Sequence, residues 1–182
     1  MVVVVGPSGV GKDSLMAFAA ERLAGRADIG FVRRAITRPG DAGGETHEPV
    51  SPEAFAAMVA AGRFAVSWRA HGHSYGIPGD TLDTVRVGRT LIANGSRAAL
   101  DGFVAAYPRL EVVTITASRE RLFERLRARG RESELDILAR LDRAQPPLPV
   151  GLSLHEIDNS GDLLDAGQRM VALIEDIAAR TV

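Results

Sequence analysis

The sequence contains no cysteine, which excludes disulfides, thiolate metal sites and cysteine nucleophiles together. It also has no apolar run that approaches the length needed to span a bilayer. Met1 is followed at once by Val2 to Val5, so the basic start and the cleavage site of a signal peptide are missing. We therefore expect a cytoplasmic protein that has no membrane partner.

The chain lacks a strong net charge. Its formal charge is −1 over 182 residues, so no global basic field favours DNA or RNA as a partner. Hydrophobic residues make up 46% of the chain and charged residues 25%, which suits one domain with a sizeable core. The sequence leaves open whether the chain forms a homodimer.

Lysine is almost absent, and its one occurrence is informative. Of the 22 basic residues only Lys12 is a lysine, and it lies in "GPSGVGKDS". This stretch fits the phosphate-loop pattern G-x-x-x-x-G-K-[ST] except that Asp13 replaces the hydroxyl residue. A β-branched run at Val2 to Val5 precedes the loop, and a helical pattern over 13–24 follows it. Strand, glycine loop and helix together predict a phosphate site.

We expect this loop to bind ATP. Its glycines allow backbone N–H groups to point inward, the following helix presents its positive end, and Lys12 reaches the outer phosphates. The alternative is an ordinary glycine turn between a strand and a helix. Asn159, just after the last predicted strand, is a candidate neighbour of the adenine. The predicted ATP-binding residues are Gly6, Pro7, Ser8, Gly9, Val10, Gly11, Lys12, Asp13, Ser14 and Asn159.

Asp13 has two interpretations. It either complements the helix dipole in the first turn or serves as a hard oxygen ligand for Mg²⁺. Ser14 cannot simply replace the missing hydroxyl, because one step along a helix rotates the side chain by about 100°. The neighbouring strand ends in the neutral Asn94, where P-loop proteins commonly carry an acid. We hypothesise that the metal-binding carboxylate has moved from that strand to Asp13.

Predicted strands alternate with predicted helices along the chain, which indicates an α/β fold with a mostly parallel sheet. The predicted strands are 2–5, 31–37, 64–68, 89–94, 110–116 and 152–158. The predicted helices are 13–24, one starting at Ser51, 80–87, 97–106, 118–143 with a break near Gly130, and one over 163–177. Segments 38–53 and 71–80 are rich in glycine and proline or histidine and are predicted to be loops.

Three stretches resemble the guanylate kinase family in their order and spacing: "RRAITRPGDAGGETH", "SWRAHGHSYGIP" and "ERLFERLRARGRESELDILARLDRA". The resemblance implies a P-loop kinase fold with a parallel five-stranded core sheet flanked by helices. It also implies a single domain over 1–182, with an acceptor-binding lobe at about 34–80 and a lid at about 118–145.

The resemblance assigns roles to arginines. In the lid, Arg129, Arg131 and Arg140 would act with Lys12 on the transferring phosphoryl group. Arg121 and Arg125 share a helix face with glutamates, so we interpret them as structural ion pairs. The resemblance implies Arg38 and Tyr75 as acceptor-binding residues. Arg34, four residues before Arg38, and Glu45, in the following loop, are further candidates, joined by Ser96 and Arg97 because ligands bind beyond strand ends. Arg34 could equally be a surface residue, and Tyr75 a packed aromatic.

The chain departs from guanylate kinases on the acceptor side. Ser67 replaces their base-reading glutamate, and His47 replaces a tyrosine that helps to hold the acceptor phosphate. "GPSGVGKDSL", "ITRPGDAGGETH", "SWRAHGHSYGI" and "NGSRAAL" instead resemble the ribose 1,5-bisphosphate phosphokinase family of bacterial phosphonate catabolism. That resemblance implies phosphoryl transfer from ATP, with Mg²⁺, to the 1-phosphate of ribose 1,5-bisphosphate, giving 5-phosphoribosyl diphosphate (PRPP) and ADP.

Two alternatives remain. One is a nucleoside monophosphate kinase of the guanylate type, against which Ser67 and Asn94 count. The other is a non-catalytic guanylate-kinase-like binding module, which would have lost the phosphate loop or the lid arginines that this chain keeps. In the favoured reaction an oxygen of the acceptor's 1-phosphate is the nucleophile. The second pKa of a phosphate monoester lies near 6, so this oxygen is already deprotonated at neutral pH and needs no protein base.

Overall fold

The computed structural model describes residues 1–40, 45–130, 132–142 and 146–180. The strands are β1 (Val2–Val5), β2 (Ile29–Phe31), β3 (Ala35–Ile36), β4 (Glu48–Pro49), β5 (Phe64–Ala70), β6 (His73–Pro78), β7 (Thr90–Asn94), β8 (Glu111–Thr116) and β9 (Ser153–Asp158). The helices are α1 (Lys12–Arg22), α2 (Pro52–Ala60), α3 (Thr81–Arg86), α4 (Leu100–Ala106), α5 (Arg119–Ala128), α6 (Glu134–Leu141) and α7 (Leu163–Ala179). A 3₁₀ turn, Arg97–Ala99, leads into α4.

The main sheet has five parallel strands in the order β2-β7-β1-β8-β9. β1 lies at its centre, and all four of its valines are completely buried, as a β-branched run in a parallel sheet requires. Val4 is in register with Asn94 of β7 and with Val113 of β8. The carboxyl ends of these strands therefore lie together at one edge, the edge where open α/β sheets bind ligands.

Helices cover both faces of this sheet. On one face α1 and α7 pack their apolar stripes together, with Leu15 and Met170 fully buried. On the other face Phe103 and Tyr107, from α4 and its C-terminal end, pack against β1, β7 and the second sheet. The predicted α/β class and the five-stranded parallel core are confirmed. Within the described residues, no helix is both long and apolar enough to cross a bilayer.

A second, four-stranded sheet has the order β4-β3-β6-β5. The prediction of one strand over 31–37 was wrong, because this segment divides between the two sheets: Phe31 pairs with β7, and Ala35–Ile36 pairs with β6. The predicted loop over 71–80 was also wrong, because His73–Pro78 forms β6, antiparallel to β5.

The β5–β6 turn explains why the glycine and histidine content of 71–80 wrongly predicted a loop. His71 has φ 49° and Gly72 has φ 78°, and positive φ at both central residues is the geometry of a two-residue hairpin turn. The glycines and histidines that suggested a long loop therefore form a tight turn and a strand. The predicted loop over 38–53 likewise contains the short strand β4 and, from Pro52, the first residues of α2.

The predicted helical region over 118–143 is a pair of helices, α5 and α6. Gly130 lies between them with φ 61°, which agrees with the predicted break. Ser118 accepts a hydrogen bond from the Arg121 backbone N–H at 3.2 Å, and Ser133 does the same for Asp136 at 3.2 Å. Each serine caps the start of its helix and so fixes where the pair turns.

Candidate active site

The phosphate loop joins β1 to α1 and packs closely against Ile115 and Asn159. Gly11, at the N-terminus of α1, has φ 94°, and a Cβ built there would lie 2.5 Å from Nδ2 of Asn159. A Cβ at Gly6 would lie 2.5 Å from the carbonyl oxygen of Ile115. The loop therefore needs glycine at both positions, for closeness and also for backbone conformation, because Gly6 has φ 153°.

Lys12 curls back over this loop. Its ammonium donates to the carbonyl oxygens of Gly6 at 2.8 Å and Pro7 at 3.1 Å. Desolvation lowers the pKa of Lys12 to about 8, although the nearby carboxylate of Asp13 acts in the opposite direction. The side chain is therefore mainly a cation at neutral pH, held against the glycine loop, and a cation at that place suits a bound polyphosphate.

The loop is tied to α5 and to the end of β9. Asn159, 1% exposed, donates through Nδ2 to the Val10 carbonyl oxygen at 2.7 Å. Arg125 donates to the same oxygen at 3.2 Å and to the Asn159 carbonyl at 2.9 Å. Arg121 instead donates to the Ser160 carbonyl at 3.0 Å and pairs with Glu124 at 3.0 Å. Arg125 thus supports the phosphate loop directly, a role that ion pairing along the helix did not predict.

A cavity of about 510 Å³ opens at the carboxyl edge of the main sheet, between the loop, the second sheet and α6. It brings together most of the predicted site residues: Gly6, Pro7, Ser8, Lys12, Asp13, Arg34, Arg38, Glu45, Tyr75, Ser96, Arg97 and Arg140. The other predicted residues among those described lie outside its lining, so their predicted contacts stay predictions: Gly9, Val10, Gly11, Ser14, Arg129 and Asn159. Arg131 lies outside the described residues.

A chain of polar side chains crosses this cavity. Arg34 donates through Nε to Oε1 of Glu45 at 2.6 Å. Asn94 donates through Nδ2 to Oε2 of Glu45 at 2.6 Å and to Oδ1 of Asp13 at 2.9 Å. One amide thus links a carboxylate of the phosphate loop to a carboxylate of the segment that follows β3.

Arg34 is 7% exposed, so it is not a surface residue. Its guanidinium lies 5.6 Å from the ring centroid of Trp68 and 5.0 Å from that of Tyr75. The two rings stack on each other, with centroids 5.4 Å apart and planes 9° apart. Trp68 and Tyr75 therefore form an aromatic support that fixes the guanidinium in the cavity.

Two further arginines of the cavity have unused donors. The Nε groups of Arg38 and Arg97 are buried and have no hydrogen-bond partner among the described residues. His47 helps to position Arg38, because its ring nitrogens lie 3.1 Å from the backbone carbonyls of Arg38 and Glu45. Buried guanidinium N–H groups that lack a protein partner suit an anionic ligand.

The helical pair α5–α6 contributes Arg140 to the cavity wall, where it pairs with Glu132 at 2.9 Å. Arg129 lies at the C-terminal end of α5 and is exposed. Its charge nevertheless contributes to lowering the pKa of Lys12, so it stands within electrostatic reach of the loop. These positions are compatible with the predicted lid, which stays a prediction.

Asn94 is a cavity residue that sequence reasoning did not include among the site residues. It is 4% exposed, lies at the carboxyl end of β7, and contacts two carboxylates. Its position in the sequence was the available signal, because a polar residue that ends the strand next to the phosphate-loop strand lies at the ligand-binding edge of the sheet. From the sequence, Asn94 stands out only as a neutral residue at a position where P-loop proteins commonly carry an acid.

A phosphate loop at the carboxyl edge of a five-stranded parallel sheet, facing an arginine-lined cavity, defines a P-loop kinase. Solved structures share this fold. The guanylate kinase from Anaplasma phagocytophilum matches with a TM-score of 0.68 at 18% identity, covering 98% of this chain and 85% of that one. A gluconokinase from Sinorhizobium meliloti 1021 matches with a TM-score of 0.52 at 19% identity, covering 98% and 93%.

Curated relatives identify the family within that class. The ribose 1,5-bisphosphate phosphokinase PhnN of Rhizobium etli (strain CIAT 652) is 51% identical, over 98% of this chain and 91% of its own length. Its counterpart in Agrobacterium fabrum (strain C58 / ATCC 33970) is 48% identical, over 98% and 97%. No protein-family model matches the chain. The chain belongs to the ribose 1,5-bisphosphate phosphokinase family, as the sequence motifs predicted, and as a kinase it uses a nucleotide.

Proposed function

We propose that the chain transfers the γ-phosphoryl group of ATP to the 1-phosphate of ribose 1,5-bisphosphate, forming PRPP and ADP. One observation carries this proposal: Arg34, Arg38, Arg97 and Arg140 line one cavity beside Lys12. A donor triphosphate and an acceptor with two phosphates bring several negative charges into one space, and guanidinium groups suit them. Ser67, at the position of the base-reading glutamate of guanylate kinases, lies outside the lining of this cavity.

The reaction needs positioning more than it needs a base. An oxygen of the acceptor's 1-phosphate attacks the γ-phosphorus of ATP, and the bond from that phosphorus to the β–γ bridging oxygen breaks, so that ADP leaves. The attacking phosphate is largely a dianion at neutral pH, because its second pKa lies near 6. The protein holds the two anions in line and neutralises their charge.

Lys12 and the arginines divide this task. Lys12 exchanges its contacts with the Gly6 and Pro7 carbonyls for the outer phosphates of ATP. Arg140, from the cavity wall, and Arg129, from the end of α5, approach the transferring group. Arg34 and Arg38, on either side of β3, hold the acceptor. In this proposal α5 and α6 act as the lid, and the second sheet forms the acceptor-binding lobe.

The residues present fit Mg²⁺. Asp13 places a carboxylate in the cavity beside the loop, with Oδ1 oriented by Asn94 at 2.9 Å. The described residues contain no cluster of three or more acidic, histidine or cysteine ligands, which suits an ion that takes one or two carboxylates and completes its shell with phosphates and water. Bound there, Mg²⁺ would neutralise charge on the phosphates of ATP.

The metal proposal is tested by Asp13→Ala, with Glu21→Ala, an exposed carboxylate of the same helix, as the matched control. We expect Asp13→Ala to raise the Mg²⁺ concentration for half-maximal rate by about tenfold or more, because a charge-assisted contact is lost. Glu21→Ala should leave it within about twofold, because Glu21 does not line the cavity. An unchanged Mg²⁺ requirement in Asp13→Ala removes Asp13 from the metal shell.

The function itself is tested by ADP release with Mg-ATP and one of four additions: ribose 1,5-bisphosphate, ribose 5-phosphate, GMP or no acceptor. We expect rapid ADP release only with ribose 1,5-bisphosphate. Release with GMP alone would identify a nucleoside monophosphate kinase. Equal release in all four conditions would identify an ATPase, and no release in any of them would favour a binding module.

A further inference from the structure

The Glu45 carboxylate occupies a place in the cavity that suits a phosphate. One of its oxygens accepts from Arg34 at 2.6 Å, and the other accepts from Asn94 at 2.6 Å. The pair with Arg34 is largely shielded from water, since the two side chains are 9% and 17% exposed. A buried guanidinium and an amide that converge on two oxygens of one anion are recognition groups for a phosphate as well as for a carboxylate.

This place adjoins the phosphate loop. The charges of Arg34 and Glu45 both act on the pKa of Lys12, and Asn94 also contacts Asp13 of the loop at 2.9 Å. In phosphoryl transfer the attacking oxygen must come within about 3.5 Å of the transferred phosphorus. The acceptor's reacting phosphate must therefore lie next to the loop. The position of the Glu45 carboxylate meets this condition, because Asn94 contacts both Glu45 and the loop's Asp13.

We propose that Arg34 and Asn94 form the subsite of the acceptor's reacting 1-phosphate, and that the Glu45 carboxylate fills this subsite until the acceptor displaces it. The inference rests on the proposed function and refines it. A phosphate dianion carries twice the charge of the carboxylate, so it competes well for the same guanidinium. Glu45, predicted from sequence as a substrate ligand, is on this view the group that the substrate replaces.

The second phosphate of the acceptor then has separate partners. Arg38 and Arg97 line the same cavity with buried Nε groups that lack a partner within the described part of the chain. A ligand that carries only the 5-phosphate binds there and leaves Glu45 in place. Displacement of Glu45 thus distinguishes ribose 1,5-bisphosphate from ribose 5-phosphate.

The test is the binding of these two sugars to wild type and Glu45→Gln, measured by calorimetry without ATP so that no turnover occurs. Glutamine has no charge and replaces one of the two acceptor oxygens by an NH₂ donor, so in this geometry either Arg34 or Asn94 would face a donor. We expect Glu45→Gln to bind ribose 1,5-bisphosphate more tightly by on the order of tenfold. Its affinity for ribose 5-phosphate should stay within about twofold of wild type.

Arg34→Gln supplies the opposite change, and Arg69→Gln, on the exposed part of β5, is its matched control. We expect Arg34→Gln to weaken ribose 1,5-bisphosphate binding by about tenfold or more and to leave ribose 5-phosphate unaffected. Arg69→Gln should change neither affinity. If Arg34→Gln fails to fold, because Arg34 is buried, Glu45→Gln alone decides the question.

Three results would overturn the proposal. Weaker binding of ribose 1,5-bisphosphate by Glu45→Gln would mean that Glu45 only positions Arg34. Equal tightening of both sugars would assign the subsite to the 5-phosphate, and unchanged affinity would mean that the carboxylate does not compete. A wild type that neither binds ribose 1,5-bisphosphate nor releases ADP with it contradicts the proposed function instead. In that case the binding of inorganic phosphate tests the subsite. We expect Glu45→Gln to bind phosphate more tightly than wild type does, and equal affinities would contradict the proposed subsite.

Discussion

The donor and acceptor sides of the cavity are built in different ways. On the donor side, the phosphate loop follows a completely buried strand, and Asn159 and Arg125 hold the Val10 carbonyl from outside. On the acceptor side, β3 and β4 have two residues each, and side-chain contacts of Arg34 and Glu45 supply the order. The proposed donor side is therefore held by a tight backbone turn and by buried side chains outside it, whereas the proposed acceptor side depends on side-chain contacts that a ligand would replace.

The largest effect is expected at the donor side from Lys12→Met. Removing the ammonium should lower kcat by on the order of a thousandfold, because a charge aimed at the transferring phosphates is lost. Thermal unfolding should stay cooperative, since the methionine replaces the apolar stem of the side chain. Lys12→Arg keeps the positive charge but replaces the compact ammonium by a planar guanidinium. Its kcat should also stay low, because the larger group does not fit the same place in the loop. Residual turnover above about a tenth of wild type in Lys12→Met would contradict the role of the loop.

A second prediction concerns the backbone of the loop and compares Gly11→Ala with Gly88→Ala. Both glycines have positive φ, 94° and 86°, but only Gly11 faces a neighbour, Asn159, whereas a Cβ at Gly88 meets no described atom within 4 Å. Each change should cost about 1–2 kcal/mol of unfolding free energy from backbone strain. Gly11→Ala should in addition weaken ATP binding by at least about tenfold, because the loop must shift.

Chemical denaturation and titration with a fluorescent ATP analogue measure the two effects. Gly88→Ala should bind the analogue as wild type does. Equal nucleotide affinity in both variants would mean that the donor side tolerates displacement, and the contrast between the two sides would then be lost.

A third prediction separates two arginines that the sequence pattern treats alike. Arg125→Gln should raise the KM for ATP roughly tenfold, because Val10 and Asn159 lose a charge-assisted donor. Arg121→Gln should stay within about twofold of wild type, because its ion pair with Glu124 is exposed and its backbone contact is at Ser160. Steady-state kinetics with both substrates varied measures this. Equal KM values for the two variants would contradict direct support of the loop by Arg125.

The smallest expected effect is a pH dependence of ATP binding. The pKa of Lys12 is lowered to about 8, mainly by desolvation. Below this pH the ammonium is charged and attracts the phosphates; as pH rises through about 8 the free enzyme loses the charge, so ATP affinity should fall severalfold. ATP should therefore bind with net proton uptake in this range, which calorimetry in buffers of different ionisation enthalpy detects. Affinity that stays constant from about pH 7 to about pH 10 would contradict it.

The sequence predicted the donor side well because its signals are local. The run Val2–Val5, the glycine spacing and the helical periodicity of α1 lie within about two dozen consecutive residues, and each agrees with the others. The same holds for β8, β9 and α7, whose apolar patterns match the strands and helix of the structure.

On the acceptor side the predicted residues do line the cavity, but the strands and the contacts among these side chains escaped prediction because they are non-local. β3 has two residues and is defined by pairing with β6 about forty positions later, so no window of sequence reports it. Asn94 contacts Glu45 and Asp13, which lie 49 and 81 positions away in the chain. The composition of 71–80 favoured a loop, because glycine and histidine in a hairpin turn resemble those in an irregular segment.

Phosphorus-31 NMR of the reaction product tests the central claim most directly, namely that the cavity joins a phosphoryl group to the 1-phosphate of a sugar bisphosphate. Wild type with Mg-ATP and ribose 1,5-bisphosphate should produce ADP and two new, mutually coupled diphosphate resonances, while GMP yields no GDP. Formation of GDP from GMP, with ribose 1,5-bisphosphate returned unchanged, would contradict the assignment of the acceptor.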